Sequence, residues 1–301
     1  MIISASRRTD IPSYYSKWFI NRLEEGYALV RNPINAGQVS KISLSPEHVD
    51  CIVFWSKNPE PMLPSLNRLG AYTYYFLFTL TSYGQDIEVN VPSKSGGVID
   101  TFKRLADKIG RGRVIWRYDP ILLSGKYTAS YHCEYFGEIA RRLNGYTDKC
   151  VISFINEYAK NKRGMERLGI SPLTVKEKTE LAGNLAKVAL ELGMTISACA
   201  EDLDLENLGI GRSKCIDDKY IEGLIGRPLN VKKDKGQRSE CGCVSSVDIG
   251  RYNTCGNGCV YCYANHSQSS VRRNISLYDP DSPLLCDNLK ETDKIMIRNG
   301  L

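Results

Sequence analysis

The sequence predicts an α/β fold, a TIM-type (β/α) barrel with a cysteine-rich cap at its C-terminal end. Three observations point there. Apolar runs of strand length alternate with stretches of helical period, the pattern of parallel βαβ units. Six of those runs end in polar residues, as barrel strands do where their C-terminal ends meet on one face. The cysteines crowd into the C-terminal third. A doubly wound open sheet is the alternative. It would usually carry a glycine-rich phosphate loop after its first strand, and none follows here.

Taken in order, Ile2 to Ser6 reads as the first strand, ending in Arg7, Arg8, Thr9 and Asp10 before Pro12. Ser13 is placed to cap a helix through Leu23, with Trp18, Phe19 and Leu23 on its apolar side. Tyr27 to Val30 and Lys41 to Leu44 read as a small hairpin. Cys51 to Trp55 is a continuous apolar run, expected of a strand buried on both faces. It ends in Ser56, Lys57 and Asn58, and a short helix from Met62 to Leu69 follows. Tyr72 to Leu80 is the next strand, ending at Thr79 and Thr81. Lys94 to Ile109 reads as a helix with Phe102, Leu105 and Ile109 in one stripe.

Arg113 to Trp116 is a fourth barrel strand, ending in Arg117 and Asp119 before Pro120. A helix from Tyr127 to Leu143 leads to a fifth strand, Cys150 to Ile155, ending in Asn156 and Glu157. Thr174 and Glu177 make a capping box that opens a helix to Leu192. Met194 to Ala198 is the sixth strand, ending in Cys199 and Glu201. Beyond Asp202 the pattern weakens. Residues 1–201 therefore read as the barrel core, and 202–301 as a cysteine-rich region packed on its mouth.

With 301 residues, 42% of them hydrophobic and 25% charged, the composition is that of a soluble globular protein. No apolar run is long enough to span a bilayer. The first residues lack the apolar core of a signal peptide, so the expected location is cytoplasmic. The net charge of +6 admits an anionic substrate or nucleic acid and argues for neither. The eleven cysteines are odd in number and clustered, which in a reducing compartment favours metal or cluster binding over disulfides.

The organising stretch is Thr254-Cys255-Gly256-Asn257-Gly258-Cys259-Val260-Tyr261-Cys262-Tyr263-Ala264-Asn265, with cysteines in the pattern C-x3-C-x2-C. Three thiolates at this spacing can hold a [4Fe-4S] cluster that keeps one iron open. The alternative is a zinc knuckle completed by Cys241, Cys243 or His266. Cys199, Cys215, Cys241 and Cys243 form a second group, able to hold a second Fe-S cluster or zinc. Cys51, Cys133, Cys150 and Cys286 read as packing residues.

The C-x3-C-x2-C motif, with Tyr261 before its last cysteine, resembles the cluster loop of radical S-adenosylmethionine (SAM) enzymes. The whole chain is similar to the bacterial and archaeal family known as domain of unknown function 1848. The segments that carry this are Ser4-Ala5-Ser6-Arg7-Arg8-Thr9-Asp10-Ile11-Pro12, Phe54-Trp55-Ser56-Lys57-Asn58-Pro59, Arg117-Tyr118-Asp119-Pro120 and Asp248-Ile249-Gly250-Arg251-Tyr252-Asn253-Thr254-Cys255. The resemblance implies a cluster on Cys255, Cys259 and Cys262, SAM as cofactor, and a 5′-deoxyadenosyl radical acting on an unknown substrate. A low-potential donor such as ferredoxin or flavodoxin would supply the electron. Two departures stand out. The loop lies near the C-terminus, as in a partial or permuted barrel, and the usual Gly-Gly-Glu is missing, since Val98 follows Gly96-Gly97.

Arg7, Arg8 and Arg117 are candidates for the SAM carboxylate or an anionic substrate. Asp10, Asp119, Glu157 and Glu201 are candidates for ribose hydroxyls or an ammonium group. Lys57 and Tyr261 complete the cofactor-facing set. A non-catalytic module binding zinc or Fe-S, with nucleic acid as a partner, is the reading from another class.

Overall fold

A computed structural model describes residues 1–156, 162–170 and 172–298. Strand β1 (Ile2–Ala5) leads into two short helices, α1 (Ile11–Tyr14) and α2 (Ser16–Glu24). One helix was expected here. Asp10 instead caps α1 by accepting from the Ser13 N–H at 3.0 Å, and Pro12 sits in the first turn. Proline is tolerated there because that N–H has no helical partner. An antiparallel pair follows, β2 (Tyr27–Arg31) and β3 (Gln38–Ser43).

The alternation then runs β4 (Cys51–Ser56), a 3-10 helix (Glu60–Leu69), β5 (Tyr74–Thr79), α3 (Ile99–Ile109), β6 (Val114–Ile121), α4 (Ala129–Leu143) and β7 (Lys149–Phe154). It continues through α5 (Lys162–Arg167), α6 (Val175–Glu191) and β8 (Thr195–Cys199). Thr174 and Glu177 make the expected reciprocal capping box at the start of α6. The last elements are β9 (Gly211–Ser213), α7 (Asp218–Ile225), β10 (Val247–Asp248), α8 (Gln268–Ile275) and β11 (Lys294–Arg298). No helix among the described residues is long and apolar enough to cross a membrane.

Eight strands form one parallel sheet in the order β10-β1-β4-β5-β6-β7-β8-β9. From β1 onward that is chain order. A closed TIM-type barrel was expected, but among the described residues no ladder joins β9 to β10. These outer strands are three and two residues long, too short to build a seam. Both come from beyond Asp202, so the C-terminal part contributes strands to the sheet. A second sheet, β11-β3-β2, stands apart.

Successive residues of a strand face opposite sides, and both sides are apolar. Ile3, Phe54, Phe76, Trp116 and Ile152 pack with the crossover helices. Ile2, Val53, Leu77, Ile115 and Val151 pack with Ile216 and Ile221 around α7. Tyr220 of α7 meets the Tyr75 ring edge-on at 4.9 Å, near the start of β5. The segment carrying α7 thus covers the second face from the amino ends of the strands. The carboxyl ends are left to polar residues and cysteines.

His132 of α4 is fully buried on the helix side. It pairs with the Tyr118 hydroxyl at 2.8 Å and the Leu122 carbonyl at 2.8 Å. Burial holds its pKa down to about 4. The unfolded chain takes up the proton near pH 6.5. The stabilisation is therefore complete above about pH 6.5 and is lost as the pH falls toward 4. Urea titrations should show about 3 kcal/mol of stability disappearing over that window. His132→Gln should be less stable at pH 7, with a flatter profile from pH 6.5 to 4.

Candidate functional site

Because all eight strands are parallel, their carboxyl ends share one edge. The loop Thr254–Asn265 is bound across it by contacts from two segments, residues 10–15 and 87–90. Tyr15 donates its hydroxyl to the Thr254 carbonyl at 2.5 Å, and Tyr14 to Asn257 Oδ1 at 2.9 Å. The Val260 N–H donates to the Ile87 carbonyl at 2.9 Å, and the Asn90 N–H to the Asn257 carbonyl at 3.0 Å. Asn257 Nδ2 donates to Asp10 Oδ2 at 3.1 Å. Gly256 is required by space, since a Cβ there would lie 2.7 Å from the Tyr14 ring.

This binding gathers Cys255, Cys259 and Cys262, each half-buried, near enough for their charges to interact. Peptide N–H groups point at two of the sulfurs. Ala264 donates to Cys262 Sγ at 3.3 Å, and the Asn257 N–H is bonded to Cys255. Burial pushes the Cys259 thiol up to about 12, and the Lys57 ammonium pulls against that. Lys57 also acts on Cys262.

Lys57 is held by Glu88, which the sequence reading did not single out. Glu88 is 1% exposed and accepts from Lys57 Nζ at 2.6 Å, Thr81 Oγ1 at 2.7 Å, Lys94 Nζ at 2.5 Å and the Tyr261 hydroxyl at 2.5 Å. Desolvation pushes its pKa up, but Lys57 and Lys94 outweigh that and hold it at about 2. Its residue pairs with Cys259 in an isolated antiparallel bridge. Lys57 Nζ also lies 5.5 Å from the centre of the Tyr261 ring. Glu88 lies in an irregular loop with no periodic signal, so only its charge in an apolar neighbourhood could have marked it.

The second cysteine group also comes together. Cys199 Sγ lies 3.3 Å from Cys215 Sγ, Cys243 contacts both Cys215 and Cys241, and the Ile216 N–H points at Cys243 Sγ from 3.4 Å. All four residues are buried. Arg7 and Arg117 lie beside this group. Tyr263 links the two groups: it feels the charge of Cys262, Arg117 and Arg7, and its hydroxyl donates to the Arg7 carbonyl at 2.9 Å. Among the described residues, no three His, Cys, Asp or Glu side chains are already set around a common point to hold a metal ion. The sulfurs of the second group meet in pairs.

The other predicted residues are distributed unevenly. Asp10 is fully engaged, accepting from the Ser13 and Lys57 N–H groups as well as Asn257. Asp119 pairs with Arg117. Glu201 accepts from the Phe154 N–H at 2.8 Å and Lys178 Nζ at 3.0 Å, tying β7 to α6. Arg8 lies 5.3 Å from the Tyr252 ring centre, with a 3.9 Å ion pair to Asp248. Glu157 lies outside the described residues. Asp248, missed except as part of a quoted motif, accepts from Ser4, Ser6, the Arg7 N–H and the Gly250 N–H.

Gly250 packs directly on the end of β1. An added Cβ would lie 2.1 Å from Ser6 Oγ. Gly250→Ala should cost about 1–3 kcal/mol in urea unfolding, because the Ser6–Asp248 contact must open.

An eight-stranded parallel α/β sheet carrying two groups of thiols at its carboxyl edge defines the class of this protein. The chain belongs to the family described as Domain of unknown function (DUF1848), whose family model matches residues 2–264. No curated protein and no solved structure matches it.

Proposed function

We propose that this protein is an iron–sulfur enzyme of the radical SAM type, with a cluster on Cys255, Cys259 and Cys262. The observation that carries the reading is the gathering of these three thiols, with Lys57 beside them, at the carboxyl edge of a parallel sheet. Cys241 and Cys243, which a zinc knuckle would need as a further ligand, contact each other and Cys215. His266 is exposed, 6.3 Å from the Tyr252 ring. The donor set therefore fits a three-thiolate cluster better than a closed zinc site.

A [4Fe-4S] cluster bound there would supply one low-potential electron for cleaving a carbon–sulfur bond of SAM, the step that leads to hydrogen abstraction from a substrate. The chain's own residues prepare that site. Lys57 and the peptide N–H groups offset thiolate charge, which neutral surroundings would disfavour. Glu88 fixes Lys57 and the Tyr261 hydroxyl in place. Arg8, with one loose ion pair, offers its guanidinium to a carboxylate on the rim. Trp55 and the apolar strand faces below exclude water. The strands' chain order supports reading the sheet as a TIM-type barrel left open between β9 and β10. A ferredoxin or flavodoxin in a reducing cytoplasm suits the required electron.

The test is anaerobic purification and reconstitution, with iron and sulfide analysis and an assay for 5′-deoxyadenosine from SAM under a strong reductant. About four iron and four sulfide bound through the loop cysteines, with 5′-deoxyadenosine formed, is the expected result. Zinc without iron would overturn it and favour a non-catalytic metal module. A cluster without SAM cleavage would remove the enzymatic part.

A further inference from the structure

We infer that Cys199, Cys215, Cys241 and Cys243 form a second, tetrathiolate metal centre, taking zinc or an iron–sulfur cluster, with Arg7 and Arg117 as its counter-charges. The inference does not depend on the cluster proposed for the C-x3-C-x2-C loop.

The four residues arrive from separate places. Cys199 ends β8, Cys215 follows β9 by two residues, and Cys241 and Cys243 flank a glycine between α7 and β10. Burying four thiols side by side at the polar edge of a sheet is not explained by packing alone. A thiol is a weak donor and a weak acceptor, so a chain of thiol contacts gains little. The 3.3 Å contact between Cys199 and Cys215 is shorter than the about 3.8 Å sulfur–sulfur edge of a tetrahedral thiolate site. A shared centre would draw these two sulfurs slightly apart and turn all four toward one point.

The arginines are the second, independent observation. Arg7 Nη2 and Arg117 Nε are buried and have no hydrogen-bond partner. Each guanidinium already meets one carboxylate, Asp234 for Arg7 and Asp119 for Arg117. Thiols lie within electrostatic reach of both: Cys243 and Cys215 for Arg7, Cys215 and Cys199 for Arg117. A buried cationic N–H left unpaired is costly. Neutral thiols cannot satisfy it. A divalent centre held by four thiolates keeps a formal charge of about −2 and presents sulfur lone pairs as acceptors. Ser197 and Ser213 add buried hydroxyls without partners, each two residues before a cysteine of the group. Ser213 lies directly opposite Cys199 across the β8–β9 ladder. Unsatisfied guanidinium N–H groups within reach of these sulfurs are what an anionic metal–thiolate core would satisfy.

The test uses the full chain with Cys255, Cys259 and Cys262 all changed to Ala, purified without oxygen. That protein should retain about one zinc, or about four iron with matching sulfide, per chain. Zinc and iron identify the centre, and either supports it. Adding Cys241→Ser and Cys243→Ser should remove the metal while circular dichroism still reports the α/β fold. Should that variant misfold, native alkylation of the triple-Ala chain gives the same answer. Cys199, Cys215, Cys241 and Cys243 should resist iodoacetamide until a chelator is added, as mapped by mass spectrometry. A triple-Ala chain free of metal, or one whose metal survives loss of Cys241 and Cys243, would overturn the inference. If the loop cluster alone fails, the triple-Ala protein still holds the second centre, so the two readings fail separately.

Discussion

Replacing Glu88 by Gln is expected to destabilise the protein by about 3–5 kcal/mol, the usual cost of leaving buried charges without their partner. In thermal unfolding that is a fall in Tm of about 10 °C for a chain of this size. The side chain is 1% exposed and faces two ammonium groups, one hydroxyl of Thr81 and one of Tyr261. Glutamine keeps the shape and some of the hydrogen bonds but removes the charge. Lys57 and Lys94 would then repel each other in a partly dry site. The pH profile gives an independent measure. With Glu88 held at about 2 in the folded state and near 4.5 when unfolded, its contribution is present above about pH 4.5. It is lost as the pH falls toward 2, and integrates to about 3 kcal/mol. Glu88→Gln should lose that part of the acid sensitivity. A variant as stable as the parent would show that the two lysines do not depend on Glu88.

Cys259→Ala is expected to abolish the cluster proposed for the loop and all 5′-deoxyadenosine formation, with little change in fold. Cys259 is the middle cysteine of the motif. It interacts with Lys57, Glu88 and Cys262, and its backbone pairs with Glu88. Two thiolates cannot hold a cubane that needs three protein ligands on its closed corners. The loop itself is fixed by Tyr14, Tyr15, Asp10 and Asn90, none of which bonds through the Cys259 side chain. Circular dichroism should therefore match the parent while turnover and the iron and sulfide assigned to the loop are lost. Retained iron at parental stoichiometry in this variant would place the cluster elsewhere.

The two predictions differ in how far the sequence foresaw them. The C-x3-C-x2-C pattern around Cys259 was legible because cysteine spacing is a local property, written in eight consecutive residues. Glu88 was not, since its meaning depends on Lys57 and Lys94, which reach it from separate segments. The strands were legible where they were long and apolar, as at Cys51–Ser56 and Tyr74–Thr79. The three- and two-residue strands β9 and β10 carry no alternation to read. Strand β11 has every residue exposed, so no buried face gives it a pattern.

By itself the sequence determined the α/β alternation, the capping box at Thr174 and the C-x3-C-x2-C loop, because hydrophobic period, helix caps and cysteine spacing are all set over a few residues. Only the tertiary structure decided that among the described residues the sheet stays open between β9 and β10, that Glu88 anchors Lys57 beside Cys259, and that four cysteines from distant segments come into contact in pairs near two arginines. Those outcomes rest on contacts between residues far apart in the chain, and such contacts are set by which strand ends share an edge.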